Sequence, residues 1–155
     1  MHGAIERFTL DTNLLVYTVE RNAGVRRQLA LEIVDRSVDA DCRLTLQSLS
    51  EFYSAATRKG MVSPERAAEL IDKWLQLFQT VPGSASSIRI ALIEAVAGRT
   101  SYWDALLIAT AAEAGCTVIL TEDLQHGARI AGVEIHNPFD PAGGLTERVQ
   151  RLLGL

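Results

Sequence analysis

Four acidic residues lie where an apolar segment of the sequence ends and a helix is predicted to begin. They are Asp11, Glu51, Asp104 and Asp123. In an alternating α/β chain, the carboxyl ends of parallel strands and the starts of the following helices share one edge of the sheet, where such folds bind ligands. Carboxylates gathered at that edge repel one another unless a cation neutralises them. The placement therefore predicts one acidic pocket that needs a cation.

The residue types around these acids indicate which cation the pocket would hold. No Lys or Arg lies within three residues of any of the four acids, so a neutralising base must come from elsewhere in the chain or a metal must serve. Oxygen ligands without Cys or His nearby favour Mg²⁺ or Mn²⁺ over zinc. If Asp11 and Asp123 follow adjacent parallel strands, their carboxylates start roughly 5 Å apart. The pattern leaves open whether one or two ions bind.

Each of the four acids also fits a purely structural explanation. Asp and Glu are favoured at helix caps and in first turns, where they meet free backbone N–H groups and the positive end of the dipole. Ser48-x-x-Glu51 and Ser101-x-x-Asp104 both match the capping-box pattern. The first and last acids would then cap the helices predicted after them. Only the joint pattern of four acids favours a common site.

Hydroxyl and amide side chains accompany the acids. Thr12 and Asn13 follow the first acid, and Thr121 precedes the last one by two residues. Such groups orient carboxylates or metal-bound water, although Thr12 and Asn13 could equally only shape the turn. Glu122 competes with Asp123 for the fourth position, because one residue of register decides which side chain faces the pocket. The sequence favours Asp123 and leaves Glu122 open.

Hydrophobic periodicity indicates the elements that must position these residues. The predicted strands cover 5–10, 42–46, 117–120 and 133–135, with a short strand or a loop at 79–81. The predicted helices cover 13–19, 25 to about 39, 47–59, 63–79, 84–97 and 101–114. This alternation predicts a three-layer α/β/α sandwich with a mainly parallel central sheet. Residues 1–140 would form the domain, and residues 141–155 a linker and short helix that docks on the same chain or on a second copy.

Composition restricts the class of protein. The chain has 155 residues, of which 48% are hydrophobic, and its apolar stretches are far shorter than the ~18 residues of a membrane span. The N-terminus carries no export signal, so a cytoplasmic protein is expected. Cys42 and Cys116 are expected to be reduced and buried, because two cysteines do not make a disulfide framework. The three histidines are scattered, which argues against structural zinc.

The overall charge speaks against a protein that binds nucleic acid by bulk electrostatics alone. The net charge is −4 and the pI is near 5.4, although a local basic site remains compatible with these values. Lys59 and Lys73 are the only lysines, against 13 arginines. Most of these side chains are expected on solvated helix faces. Those nearest the acidic motifs in sequence, Arg58, Lys59, Arg99 and Arg129, are candidates for contacts to phosphate.

Four short segments, taken together, resemble the PIN-domain ribonucleases and most closely the VapC-type toxins of toxin–antitoxin pairs. The segments are Asp11-Thr12-Asn13, Ser50-Glu51-Phe52, Tyr102-Trp103-Asp104-Ala105 and Thr121-Glu122-Asp123. Their order and spacing agree with that family over about residues 8–138. No single segment is specific, whereas all four in order are hard to obtain by chance.

The resemblance implies a Mg²⁺- or Mn²⁺-dependent endoribonuclease that hydrolyses RNA phosphodiester bonds and whose four acids bind the metal. It also implies a homodimer restrained by a cognate antitoxin protein. The alternative is a catalytically inactive PIN-like module that only binds RNA or protein. Aspartyl-phosphate phosphatases fit less well, because they require a second Asp where this chain has Asn13.

Two aromatic features have both a structural and a functional interpretation. The helix over 63–79 has a wide apolar face that core packing mostly explains, and a dimer or antitoxin contact would explain the remainder. Trp103 stands beside Asp104 and is expected in the core, as tryptophans in helices usually are. Stacking on an RNA base is the alternative.

Overall fold

The computed structural model describes residues 5–155. Residues 1–4, with His2 and the start of the segment in which no export signal was found, lie outside the described residues. The strands of the described part are β1 (Phe8–Leu10), β2 (Arg43–Thr45), β3 (Gln79–Val81), β4 (Val118–Leu120), β5 (Arg129–Ile130) and β6 (Val133–His136). The helices are α1 (Thr12–Tyr17), α2 (Val25–Ser37), α3 (Leu46–Arg58), α4 (Pro64–Leu77), α5 (Ala85–Val96), α6 (Tyr102–Glu113) and α7 (Glu147–Leu153).

The central sheet is mainly parallel. Its order is β1-β4-β6-β5, and only the β5–β6 pair is antiparallel. Strands β2 and β3 pair in parallel, and an isolated parallel bridge between Phe8 and Cys42 connects that pair to β1. Because Leu10 lies opposite Leu120, β1 and β4 end side by side. The residues after both strands therefore share one edge of the sheet, here called the carboxyl edge.

Alternation along the strands builds a core on each face of the sheet. Val118 and Leu120 join the larger core with α1, α2, α3, α4 and α7, whereas Ile119 faces the smaller core with α6, β5 and β6. Helix α5 packs on α6. This arrangement confirms the predicted three-layer α/β/α sandwich. The short strand at 79–81, for which a loop was the alternative, is also confirmed.

The structure differs from the predicted elements at two points before the acidic site is considered. The first strand begins at Phe8 instead of residue 5, because only its last three residues pair with β4. Strand β5 was missed altogether, since two residues carry too little pattern to be recognised. Gly115 ends α6 with φ 86°, as its position predicted, and the carbonyl of Ala114 accepts a hydrogen bond from Arg7 Nη1 at 2.7 Å.

The C-terminal helix packs on its own chain. Val149 and Leu153 are buried in the larger core, and Arg148 pairs with Glu6 and Glu134. Of the two alternatives for this helix, docking on the same chain is the one observed. Both cysteines are free and buried, as the composition predicted. Within residues 5–155, every helix is too short or too polar to cross a bilayer.

Candidate active site

Asp11 is the most enclosed of the four predicted acids. It directly follows β1, is 7% exposed, and its Oδ1 accepts a hydrogen bond from the Thr12 backbone N–H at 2.7 Å, which caps α1. Its Oδ2 accepts a hydrogen bond from Thr121 Oγ1, also at 2.7 Å. One oxygen is therefore oriented by the first residue of α1 and the other by the residue that follows β4.

Thr121 connects three residues of the site from the end of β4. Besides donating to Asp11, its hydroxyl accepts the backbone N–H of Asp123 at 3.1 Å. The Asn13 amide lies at 3.5 Å from the same hydroxyl, which is a weak contact. A fully buried threonine thus fixes the geometry between the first and last acids.

Glu51 reaches the same edge from α3. Its Oε2 accepts a hydrogen bond from Thr12 Oγ1 at 2.9 Å, and its Oε1 accepts one from Gln47 Nε2 at 2.7 Å. The Gln47 amide also donates to the backbone carbonyl of Trp103 at 2.9 Å. Thr12 therefore ties Glu51 to the start of α1, and Gln47 ties it to the start of α6.

Asp104 lies in the first turn of α6. Ser101 caps this helix, and its hydroxyl accepts the Asp104 backbone N–H at 3.2 Å and donates to Asp104 Oδ2 at 2.9 Å. Asp104 is partly buried and Asp123 is exposed. Burial is the main cause that raises the pKa of Asp11, and the charges of Asp104 and Asp123 add to it.

The capping explanation holds for two acids and is wrong for the other two. Asp11 caps α1, and the Ser101-x-x-Asp104 pattern does form the start of α6. Helix α3 instead begins one residue earlier than predicted and is capped by Thr45, so Glu51 is in its interior. Asp123 caps nothing, because β4 is followed by turns that lead to β5. Helix capping therefore does not account for Glu51 or Asp123.

Glu122 has two side-chain partners that the sequence did not reveal. Tyr17 Oη donates a hydrogen bond to it, and Arg26 forms an ion pair with it. The Arg26 guanidinium also lies 4.6 Å from the centroid of the Phe139 ring. Burial, followed by the hydrogen bond to Glu122, raises the pKa of Tyr17 to about 12. Glu122 thus has a basic partner, whereas Asp123 has none among residues 5–155.

The pKa of Asp11 is clearly shifted from its ordinary value. Burial is the main cause that raises its pKa to about 6, and the charges of Asp104 and Asp123 add to it against the lowering effect of its two hydrogen bonds. Among residues 5–155, no Lys or Arg forms an ion pair with Asp11, Glu51, Asp104 or Asp123. No base from elsewhere in that part of the chain supplies the missing positive charge.

The donor set fits a hard divalent cation. All four side chains offer carboxylate oxygen, and the buried Asn13 Oδ1 has no hydrogen-bond partner among the described residues. The side chains do not form a closed shell: within residues 5–155, no three acidic, His or Cys side chains stand close enough together to enclose an ion. Three of the carboxylates are instead held by neighbouring hydroxyl or amide groups.

The sequence carries a family signal that agrees with this geometry. The PIN domain profile matches residues 8–132, which include all four acids. The chain belongs to the PIN domain family. The PIN domain match runs from β1 through β5 and ends before β6 and α7. No curated protein shows significant sequence similarity to the chain.

Solved structures support the same PIN domain fold. A DNA-bound VapBC from Salmonella typhimurium matches with a TM-score of 0.61 and 20% identity, covering 84% of this chain and 97% of that one. A toxin–antitoxin complex from Klebsiella pneumoniae matches at 0.62 and 17%, covering 85% and 98%. VapC20 of Mycobacterium tuberculosis, a toxin that cleaves the sarcin–ricin loop, matches at 0.61 and 16%, covering 75% and 89%. At such identities the likeness shows the fold alone.

The basic residues proposed from sequence separate into two regions of this PIN domain. Arg99 and Arg129 line one cleft beside the loop that follows Asp123, and Arg99 also pairs with Glu94 at 2.9 Å. Lys59 lines a different cleft, together with Arg21. Arg58 is exposed in the last turn of α3. The structure thus brings together only two of the four.

Three side chains around the PIN domain acids were not found by sequence reasoning. Gln47 precedes Glu51 by four residues on one helix, a spacing that places both on one face and could have indicated the contact. Tyr17 and Arg26 meet Glu122 across 105 and 96 residues, which no local pattern reveals. The prediction that Trp103 is buried is wrong, because it is 63% exposed.

Proposed function

We propose that this protein is a metal-dependent endoribonuclease of the cytoplasm that hydrolyses RNA phosphodiester bonds as the toxin of a toxin–antitoxin pair. One observation carries the proposal: four acids from four separate segments lie near the carboxyl edge of a PIN domain sheet, and none has a basic partner in residues 5–155. An RNA-cleaving toxin, VapC20, also shares the fold.

The acids would hold Mg²⁺ or Mn²⁺, with Asp11 and Asp104 as the most direct ligands. Glu51 and Asp123 would bind a second ion or orient the attacking water. An ion held there would supply charge stabilisation for the phosphoryl oxygen and a nucleophile stronger than bulk water. The carboxylate oxygens and the unpartnered Asn13 Oδ1 fit this role, since hard divalent ions prefer oxygen ligands.

The surrounding polar residues would position these acids. The Thr121 hydroxyl donates to Asp11 Oδ2 and so fixes the direction of that carboxylate, while Thr12 does the same for Glu51. Such partners outside the ligand set are usually important for affinity. The ion pair of Glu122 with Arg26 supports Asp123 as the fourth acid.

Two arginines are suitable for holding the RNA backbone. Arg99 and Arg129 are both exposed, and they line a cleft beside the loop that follows Asp123. Their planar guanidinium groups bind phosphate in a bidentate manner. We propose them as the principal phosphate contacts, with Arg58 and Lys59 contributing only if the RNA extends past the end of α3.

Incubation with RNA and a divalent cation tests the activity. Wild-type protein with Mn²⁺ or Mg²⁺ is expected to cleave RNA, EDTA is expected to abolish cleavage, and Asp11→Asn or Asp104→Asn is expected to reduce it by roughly a thousandfold, since a lost ligand removes several kcal/mol of charge stabilisation. Asp41→Asn is the control, because it removes a carboxylate that is paired with arginines. Cleavage that survives in both site variants would disprove the assignment.

The alternative is a PIN-like module that binds RNA or protein without cleaving it. The open arrangement of the carboxylates, which do not form a closed ion shell within residues 5–155, is the observation that favours it. Calorimetric titration with Mn²⁺ separates the two functions. Binding that Asp11→Asn abolishes supports the nuclease, whereas no binding by the wild-type protein supports the module.

Exposed apolar residues support the proposed homodimer and antitoxin. On α5 and α4 they are Ile88, Leu92, Ile93, Val96, Leu75 and Leu77, between 44% and 87% exposed. Charged substitutions at Leu92 and Leu75, each measured by light scattering, are expected to show which helix serves the second copy. Growth arrest on expression, relieved by co-expression of the neighbouring reading frame, would identify the antitoxin.

A further inference from the structure

Trp103 has a large aromatic side chain that the core does not use. It is 63% exposed, whereas Trp74 is 5% exposed and packs against Phe52 with ring centroids 4.8 Å apart. An indole left in water forgoes the free energy that burial of its large apolar surface would supply. Its exposure therefore calls for an explanation outside the fold.

The backbone at Trp103 is tied to the acidic site. Trp103 directly precedes Asp104 in the first turn of α6, and its carbonyl accepts the Gln47 amide at 2.9 Å. The same amide nitrogen donates to Glu51 at 2.7 Å. One side chain thus sets the position of Trp103 relative to two of the proposed metal ligands.

The surroundings of the indole favour a flat aromatic partner. Its one aromatic neighbour in residues 5–155 is Tyr102, which packs edge-on at 5.2 Å between ring centroids, and no arginine or lysine of those residues stacks on it. The residues beside it in the chain, Ser101 and Asp104, are polar. The exposed aliphatic side chains that would suit a protein partner are concentrated on α4 and α5.

We propose that Trp103 stacks on a base of the RNA strand next to the bond that is cut. This inference rests on the proposed nuclease function and adds to it a residue that contacts the substrate; the base must be unstacked, because bases inside a duplex are already stacked. The protein has a net charge of −4 and an acidic site, so its charge repels the RNA phosphates. Stacking between an indole and a base does not depend on that charge. It also tolerates every base, since each has a π face.

Cleavage kinetics on a single-stranded oligoribonucleotide test the stacking. Trp103→Ala is expected to raise KM by about 5- to 100-fold while leaving kcat nearly unchanged, and Trp103→Phe is expected to retain most of the wild-type KM. Tyr53→Ala is the matched control, because Tyr53 is another exposed aromatic side chain, 42% exposed, and has no part in the proposed site. A substitution that only disturbed the acids would lower kcat instead.

Fluorescence gives a second test that does not need cleavage. Trp103 and the buried Trp74 are the two tryptophans of the chain. In the Asp11→Asn background with Mg²⁺, the oligoribonucleotide is expected to quench the emission and to protect it from iodide. Both effects are expected to disappear when Trp103→Phe is added. If the protein binds RNA but does not cleave it, the kinetic test gives no signal, whereas the quenching is still expected because it requires only binding.

Two results would overturn the inference. One is an unchanged KM in Trp103→Ala together with unquenched emission. The other is a Trp103→Ala protein whose KM is normal but whose mass by light scattering falls to that of a single chain, which would assign the indole to a protein interface. Because Trp103 is exposed, its variants are expected to keep the wild-type Tm, and an unfolding curve checks this.

Discussion

Acidic residues at the two ends of the parallel strands have different partners. The end at which these strands begin is here called the amino edge. There, Asp41 precedes β2 and is paired with both Arg7 and Arg43, at 3.0 and 2.9 Å. Arg148 neutralises two glutamates near the same edge. At the carboxyl edge the four proposed ligands have only hydroxyl, amide and backbone partners among residues 5–155.

This difference shows what distinguishes a structural acid from a functional one in the same fold. Arginine at the amino edge satisfies its carboxylates within the chain. At the carboxyl edge the burial of Asp11 raises its pKa to about 6, which is an unfavourable interaction left unrelieved. Perturbed groups of this kind are concentrated at functional sites. Variants that add or remove a charged partner at either edge test this difference.

Among variants that add, free or unpair an arginine, the largest effect is expected when an arginine is placed among the four acids. Gln47→Arg would pair with Glu51, to which Gln47 already donates at 2.7 Å, and would compete with the metal. Cleavage in Mn²⁺ is expected to fall roughly 100-fold. Gln76→Arg is the matched control, because Gln76 donates to Asp72 in the same way on the exposed face of α4. Equal losses in both variants would contradict the comparison.

Removing the charge of Asp11 is expected to stabilise the metal-free protein. The folded-state pKa of about 6 lies above the ordinary 3.8, so the penalty is absent below about pH 4, grows as pH rises through this window, and is complete above about pH 6. Asp11→Asn should therefore gain about 3 kcal/mol over wild type at pH 7.5. Urea unfolding in EDTA at pH 4 and pH 7.5 measures this.

Added Mn²⁺ provides the control for that measurement. Wild-type protein is expected to gain stability from Mn²⁺ at pH 7.5 by mass action, and Asp11→Asn to gain less, because it lacks one ligand. A variant that is less stable than wild type at both pH values in EDTA would show that the Asp11 carboxylate is a structural group like those of the amino edge.

A smaller effect is expected from releasing Arg26 beside the site. In Glu122→Gln the ion pair with Arg26 is lost, and the freed guanidinium becomes available to Asp123. Cleavage is expected to fall about tenfold. The double variant Glu122→Gln with Arg26→Gln is expected to recover most of the activity. If the double variant were as slow as the single one, the neighbouring charge would not be the cause.

The smallest effect is expected at the amino edge. Asp41→Asn removes the shared partner of Arg7 and Arg43, which is partly exposed, so the free energy of unfolding is expected to fall by about 1 kcal/mol. Cleavage and its dependence on Mn²⁺ are expected to stay at the wild-type level. A loss of activity here, with the fold intact, would mean that the two edges are not independent.

The sequence was a good guide to the fold where the signal is local. The apolar runs of β1 and β4 and the amphipathic or capped helices were predicted to within a few residues. Ser101 caps α6 as its pattern indicated. Failures occurred where a local pattern matched for the wrong reason: Ser48-x-x-Glu51 resembles a capping box, but Thr45 caps that helix. Strand β5 was not predicted because only its antiparallel pairing with β6, and no pattern in its own two residues, defines it.

The candidate site was predictable as a set of residue types but not as a set of contacts. The sequence identified the acids and the lack of nearby bases, whereas the pairing of Glu122 with Arg26 crosses 96 residues. Trp103 was expected in the core because tryptophans in helices usually are, yet the first turn of α6 leaves the indole exposed. Exposure at a helix end depends on where neighbouring helices stop, which periodicity does not encode.

The sequence by itself determined the order of the longer strands and helices, the acids that follow β1 and β4, and the oxygen-rich character of the pocket, because these depend on neighbours a few residues away. Only the tertiary structure decided that Thr12 reaches Glu51 across 39 residues and that, within residues 5–155, arginines pair with Asp41 and Glu122 but with none of the four proposed ligands. Hydrogen bonds and ion pairs act over a few ångströms, so the packing of distant segments decides which charges find a partner.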